Sequence, residues 1–158
     1  KSSTLEAIFG MSFPAKDNLC TRFATELILR RALIANVNIR ITPGPERSDE
    51  EKARLRDFTY SGTLADLDIS YVINDVKSAM DLNGSNKVFS TNVLCIEISG
   101  PSQPYLTIVD LLGFFLAGNK DQSNEDAALV EALMLSYIKK LCTIILVVIS
   151  AKSNFALQ

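Results

Sequence analysis

Three short stretches carry side chains that could handle phosphate and a divalent cation. The first is Lys1-Ser2, at the head of KSSTLEAIFG. Lys-Ser opening an amphipathic helix is the tail of the phosphate-binding loop G-x-x-x-x-G-K-[ST]. In that loop the helix N-terminal amides face phosphate, the lysine neutralises its outer charge, and the hydroxyl ligates Mg²⁺. The second is Thr21, within LCTRFATELIL, in a polar loop between the first helix and the strand that follows. The third is LTIVDLLGFF, Leu106 to Phe115, where an apolar strand runs into Asp110 and then Gly113. A carboxylate at the end of such a strand is costly unless a cation sits beside it. A glycine three residues later fits backbone that must approach another group closely. Asp-x-x-Gly after a hydrophobic strand is also where nucleotide-hydrolysing switch proteins place a metal-side carboxylate and an amide that senses the γ-phosphate. Each pattern is common by itself; their order along the chain is what joins them.

The elements that must position these residues follow from periodicity. Leu5, Ile8 and Phe9 recur at helical spacing with Glu6 opposite, which predicts a short amphipathic helix over Ser2 to Met11. Ala35 to Thr42 alternates without exception, with Ala35, Val37, Ile39 and Ile41 on one face, and reads as a half-buried strand. Its expected partner is Glu26 to Arg31, as an antiparallel hairpin. PGPERSDEE breaks that strand, and Ser48 with Glu51 forms a capping box for a charged helix through Arg56. Ile69, Val72, Ile73, Val76 and Met80 mark a second helix, ending near Asn83-Gly84. Val93 to Ser99 and Tyr105 to Asp110 read as strands joined across GPSQP. Ser123 with Asp126 can cap a helix whose Leu129, Val130, Leu133, Met134 and Tyr137 form one stripe. The apolar run Cys142 to Ile149 has the composition of a central strand covered on both faces. Strands alternating with helices predict a layered α/β domain.

Composition narrows the chemistry. A chain of 158 residues, 47% hydrophobic and 22% charged, fits one domain with a real core. A net charge of −2 argues against a dedicated nucleic-acid binder. Arg30-Arg31 and Lys139-Lys140 read as solvated surface pairs. The chain has no histidine, which excludes Ser-His, Cys-His and zinc-histidine mechanisms within it. Cys20, Cys95 and Cys142 have neither metal-ligand spacing nor the even count of a disulfide framework, which favours a reducing compartment. The longest wholly apolar run, Ile144 to Ile149, is too short to span a bilayer. The opening lysine, already inside a helical pattern, and the abrupt FALQ end read as cuts through a larger protein.

Lys1-Ser2, Thr21 and Asp110-x-x-Gly113 fall in the order of a GTPase's phosphate loop, switch I and switch II, but with a large insert between the second and third. With that insert, the stretches KSSTLEAIFGMSFPAKDNLCTRFATELILRR, VLCIEISGPSQPYLTIVDLLGFF, ALVEALMLSYIKK and IILVVISAKSNFALQ resemble the dynamin superfamily, and within it the Mx-like dynamin-related proteins. The resemblance covers nearly the whole chain. It implies a P-loop GTPase-type layered α/β fold, with a mixed, mostly parallel sheet flanked by helices and incomplete at both ends. Residues 1–158 are then a partial dynamin-type G domain, running from the P-loop lysine to the strand before the guanine-specificity motif. The implied activity is Mg²⁺-assisted hydrolysis of GTP in a large, self-assembling GTPase involved in membrane remodelling or assembly. The implied location is the cytoplasm, with peripheral association to membrane or cytoskeleton through regions outside this chain. The implied partners are GTP and GDP and other copies through the G domains, with no nucleic acid. Carried over position by position, Lys1 is the P-loop lysine, Ser2 a metal ligand and Ser3 a phosphate-side neighbour. Thr21 is the switch I threonine, a metal ligand and a catalytic contact. Asp110 is the metal-side aspartate, acting through a water, and Gly113 supplies the γ-phosphate amide.

Departures from the family pattern are visible too. The family usually reads Asp-Leu-Pro-Gly, and here Leu112 stands for the proline, which predicts altered switch II stiffness with the Gly113 amide retained. The P-loop glycines and the [NT]-K-x-D base-reading motif lie outside the chain, so the chain taken alone is expected to bind GTP weakly. Asn119-Lys120-Asp121 is not that motif, because Gln122 stands where its aspartate belongs. Ser150-Ala151-Lys152 is assigned no guanine contact. The alternative reading is a catalytically inert G-domain fragment that serves at most as a protein-interaction module.

Overall fold

The computed structural model describes residues 5–7, 22–83, 89–111 and 124–147. Four strands form one sheet: β1 (Ala24–Arg31), β2 (Asn36–Thr42), β3 (Val93–Gly100) and β4 (Leu106–Asp110). Among the described residues three longer helices accompany them: α1 (Asp49–Arg56) and α2 (Ile69–Ala79) between β2 and β3, and α3 (Asn124–Ile138) after β4. Residues 5–7 are helical, in agreement with the helix expected there, and Leu5 is buried.

The expected α/β layering is present, and strand order is where the structure departs from the sequence reading. The order is β2-β3-β1-β4. The hairpin expected between β1 and β2 does not form, because β3 lies between them, antiparallel to β2 and parallel to β1. β1 carries Leu27, Ile28 and Leu29, three consecutive buried residues, and such a run requires cover on both faces and a neighbour at each edge. β3 and β4 supply those edges. Likewise β3 and β4 are connected across residues 101–105 but do not pair, since β1 separates them. The sheet is mixed, as expected. Among the described strands, however, two of the three pairings are antiparallel and one is parallel.

The alternation of β2 holds: Ile39 and Ile41 are buried while Asn38, Arg40 and Thr42 are exposed. Register then sets the core. Leu27 and Ile39 both lie opposite Ile96, Leu29 and Val37 lie opposite Ile98, and Ile41 lies opposite Leu94, so all share one face. Onto this face pack Leu55 of α1 and Ile69, Val72, Ile73 and Val76 of α2, with Met80 and Leu82 beyond it. Each fully buried aliphatic side chain there is worth about 1.5–3 kcal/mol.

Local chemistry fixes where the helices begin and end. α1 starts with the expected capping box: the Glu51 amide donates to the Ser48 hydroxyl at 3.2 Å, and the Ser48 amide donates to the Glu51 carboxylate at 2.9 Å. α2 starts at Asp68, whose carboxylate accepts from the Ser70 amide at 2.8 Å. It stops at Ala79, short of the expected end, with Asp81 in the left-handed region at φ 58°. The buried guanidinium of Arg47 ties the two helices together, donating to Glu51 Oε1 at 2.9 Å and to the Met80 carbonyl at 3.3 Å. Between β2 and α1, Gly44 approaches the chain ahead of β3; its amide donates to Asn92 Oδ1 at 2.8 Å, and a Cβ there would collide with the Thr91 hydroxyl.

On the opposite face of the sheet, α3 is tethered through Tyr137, whose Oη donates to Glu26 Oε1 at 2.8 Å. Leu133, Met134 and Tyr137 are half-buried, as the expected stripe requires, but Leu129 is exposed. Burial, then the hydrogen bond to Glu26, pushes the Tyr137 phenol well above its ordinary value. Burial likewise raises the thiol of Cys95 on β3. The expected surface pairs find partners here: Arg30 Nε meets Glu97 at 3.0 Å, and Lys140 Nζ sits 4.4 Å from the Tyr137 ring centroid. The segment after α3 overturns an expectation. Residues 142–147 form no strand, and Ile144, Ile145, Leu146 and Val147 are exposed. A strand of this composition needs a ladder partner, and none of the described strands supplies one.

Candidate functional site

Asp110 ends β4, whose side chains pass from exposed at Leu106 to buried at Asp110. That gradient follows the strand inward from the exposed connection after β3. β4 runs antiparallel to β1, and Asp110 lies directly opposite Thr25, near the start of β1. Thr25 and Asp110 point to the same face of the sheet as Leu27, Leu29 and Ile108. Asp110 is 9% exposed and Thr25 is 4% exposed. The Thr25 hydroxyl is buried with no hydrogen-bond partner among the described residues.

The chain just ahead of Thr25 is held firmly. Arg22 Nη1 donates to the Leu82 carbonyl at 3.0 Å, beyond the end of α2. Its own carbonyl accepts from the Ser90 amide at 2.8 Å, ahead of β3. Phe23 is completely buried. The lead-in to β1 and the end of β4 are therefore anchored side by side: one to α2 and the approach to β3, the other through the β1 ladder. Arg22 follows Thr21 in the chain, and Asp110 begins the Asp110-x-x-Gly113 stretch. Arg22 and Asp110 thus lie at one end of the sheet.

Of the residues expected to form a site, Asp110 is described, buried at the end of β4. Lys1, Ser2, Ser3, Thr21 and Gly113 lie outside the described residues. So do Leu112, Ser123, Asn119-Lys120-Asp121 and Ser150-Ala151-Lys152. Thr25 went unmarked in the sequence, because threonine is an ordinary strand residue. It is the polar member of a face whose next two residues are Leu27 and Leu29, four positions after Thr21.

The donor chemistry fits a hard cation held mainly by ligand and water. Among the described residues no group of three or more acidic, cysteine or histidine side chains comes together. Mg²⁺ is ordinarily bound through one or two carboxylates plus phosphates and waters, not by an all-protein cage. A buried carboxylate on Asp110 beside the Thr25 hydroxyl, which has no hydrogen-bond partner among the described residues, is an all-oxygen pair suited to that role. Cys95 is buried on the other face of the sheet, near Tyr137 and opposite Glu26, so its thiol does not share the face of Thr25 and Asp110, and Cys142 is exposed. No described helix is long and apolar enough to cross a membrane.

Comparison with known proteins adds a second line of support. The dynamin family matches residues 1–158. The chain is 29% identical over 158 residues to interferon-induced GTP-binding protein Mx2 of Canis lupus familiaris, covering 99% of this chain and 20% of that protein. It is 28% identical over 158 residues to interferon-induced GTP-binding protein Mx of Epinephelus coioides, covering 99% of this chain and 23% of that protein. Dynamin-related protein 3A of Arabidopsis thaliana is 30% identical over 158 residues, covering 99% of this chain and 18% of that protein. The chain thus spans about a fifth of the length of the curated relatives it matches.

Proposed function

The chain belongs to the dynamin family, and we propose that it is part of the G domain of a dynamin-like large GTPase. The proposed reaction is hydrolysis of GTP by attack of water on the γ-phosphate. The observation that carries this reading is the buried Asp110 at the end of β4, anchored against the start of β1, in a chain matched along its full length by the family. The names of two relatives, both GTP-binding proteins, point the same way.

In this proposal Lys1 neutralises the outer phosphate charge, and Ser3 lies on the phosphate side. Ser2 and Thr21 ligate Mg²⁺ and Asp110 reaches it through a water. When bound, the ion offsets the negative charge of the β- and γ-phosphates. Thr21 closes over the γ-phosphate, and the Gly113 amide donates to it. Asp110 sits at the end of a strand fixed by its ladder, so the backbone that carries its carboxylate is held in place. The parent protein, in this reading, self-associates through its G domains and works from the cytoplasm on membranes.

The test uses the full-length protein that carries this segment. A fluorescent GTP analogue is titrated with and without Mg²⁺, with GTP and ATP as competitors, for wild type and Asp110→Asn. Expected are binding that GTP competes and ATP does not, and a Mg²⁺ requirement weakened roughly ten- to hundred-fold by the substitution. Absence of nucleotide binding would establish the inert alternative. Binding whose Mg²⁺ dependence ignores Asp110→Asn would refute the assignment of this carboxylate.

A further inference from the structure

We propose that Thr25 is a positioning residue for Asp110: its buried hydroxyl holds the water through which Asp110 meets the divalent cation. The inference rests on the GTP-site reading above and deepens it, because it adds a residue that neither the sequence patterns nor the family resemblance marked.

Three observations carry it. Thr25 and Asp110 are register partners in the β1–β4 ladder, so their side chains stand side by side on one face. Directly opposed antiparallel residues have Cβ atoms about 4.5–5.5 Å apart. Across that gap a hydroxyl and a carboxylate can share one water, and a bridging water serves nearly as well as a direct contact. Next, Thr25 is 4% exposed, and its Oγ1 has no hydrogen-bond partner among the described residues. A buried hydroxyl without a partner is costly compared with a methyl group of the same shape. Valine would fill the position equally well and suit a strand at least as well. Finally, the position is stiff. The Thr25 backbone lies between the parallel ladder to Leu94 and the antiparallel ladder to Asp110, two residues beyond the completely buried Phe23. A hydroxyl mounted there rides on backbone with little freedom to shift. Leu27 and Leu29, the next residues on the same face, are apolar, which confines the polar feature to the end of the sheet where Asp110 stands.

The bland reading is a buried threonine tolerated for its β-branched shape. It predicts that shape alone matters, so Val should be harmless in every assay and Ser, lacking the methyl, should be the damaging change. The positioning reading predicts the reverse order for the cation. The full-length protein is held in a saturating non-hydrolysable GTP analogue, and its melting temperature is followed as Mg²⁺ is titrated. The variants are Thr25→Val, Thr25→Ser and Asp110→Asn. Expected for Thr25→Val is a Mg²⁺ midpoint raised roughly ten-fold, as for other groups that orient a metal's ligands. Its nucleotide-free melting temperature should equal or exceed that of wild type. Thr25→Ser should keep the midpoint within about two-fold of wild type, because the hydroxyl remains. If both Thr25 variants match wild type while Asp110→Asn raises the midpoint, Thr25 is packing only; the inference falls and the GTP site stands. If Asp110→Asn also leaves the midpoint unmoved, the site reading falls and the inference with it.

Discussion

Asp110 and Asp81 show how differently one residue type can be used. Asp110 is buried at a strand end, and its proposed role is to meet a cation there. Asp81 is exposed and gains its meaning from its backbone, which adopts φ 58° just after the C-cap of α2. The left-handed region suits Gly, and Asn or Asp better than other side-chain-bearing residues. The Asp81 carboxylate also pairs with Arg54 of α1, an exposed contact that contributes little beside the backbone term. Asp81→Val should therefore lower stability by about 1–2 kcal/mol, since a β-branched residue resists positive φ. Asp81→Gly should hold stability near wild type despite losing the ion pair. Chemical denaturation of the two variants decides the matter; equal losses would show that the Arg54 pair, not the turn, is what Asp81 supplies.

Among the elements, α1 and α3 are secured by opposite means. α1 buries only Leu55, so its start depends on the Ser48–Glu51 box and on Arg47. Removing the Ser48 hydroxyl with Ala should cost about 1 kcal/mol. The Ser48 backbone amide, followed by Arg47, holds the Glu51 carboxyl below its ordinary value of 4.5. A lowered acid stabilises the fold above its unfolded value and loses that contribution as pH falls through the folded value. The difference between wild type and Glu51→Ala should accordingly shrink on acidification below pH 4.5; a constant difference would mean Glu51 acts only by packing. α3 is fastened instead by the phenol of Tyr137 on Glu26. Tyr137→Phe leaves that half-buried carboxylate short of a donor, at a cost of about 1–3 kcal/mol. The loss should fall on α3 first, seen as faster amide exchange there than in β1 or β3. Uniform acceleration across the sheet would instead make the contact part of the global core.

At the scale of the whole molecule, helices were legible in the sequence and sheet order was not, for a physical reason. The hydrogen bonds of a helix come from its own residues, so the Ile69–Val76 stripe and the Ser48–Glu51 box could be read locally. A strand borrows its bonds from elsewhere, and neither the insertion of β3 between β1 and β2 nor the bare run at residues 142–147 leaves a local mark. The site divides the same way. Asp110 announces itself by interrupting an apolar run, whereas Thr25 hides because threonine is at home in strands. What the fold does with its second face can be tested as a single property, its response to alkali. There Cys95 and Tyr137 both hold their protons above their ordinary values of 9.0 and 10.0, in each case chiefly through burial, with Glu26 adding to the effect on Tyr137. Above pH 9 the unfolded chain releases the thiol proton and above pH 10 the phenol proton, while the folded protein keeps both. The folded state then binds more protons than the unfolded one, so stability is complete below pH 9 and falls as pH rises. Each retained proton contributes at most about 1.4 kcal/mol per pH unit. The slope should begin near pH 9 and steepen past pH 10. Urea unfolding between pH 8 and 11 measures it, and the double variant Cys95→Ala, Tyr137→Phe provides the control. That variant starts from lower stability but has neither proton to hold, so its curve should be flatter over the same range. Parallel curves for the two proteins would place the alkaline sensitivity elsewhere and dismiss the buried thiol and phenol as its source.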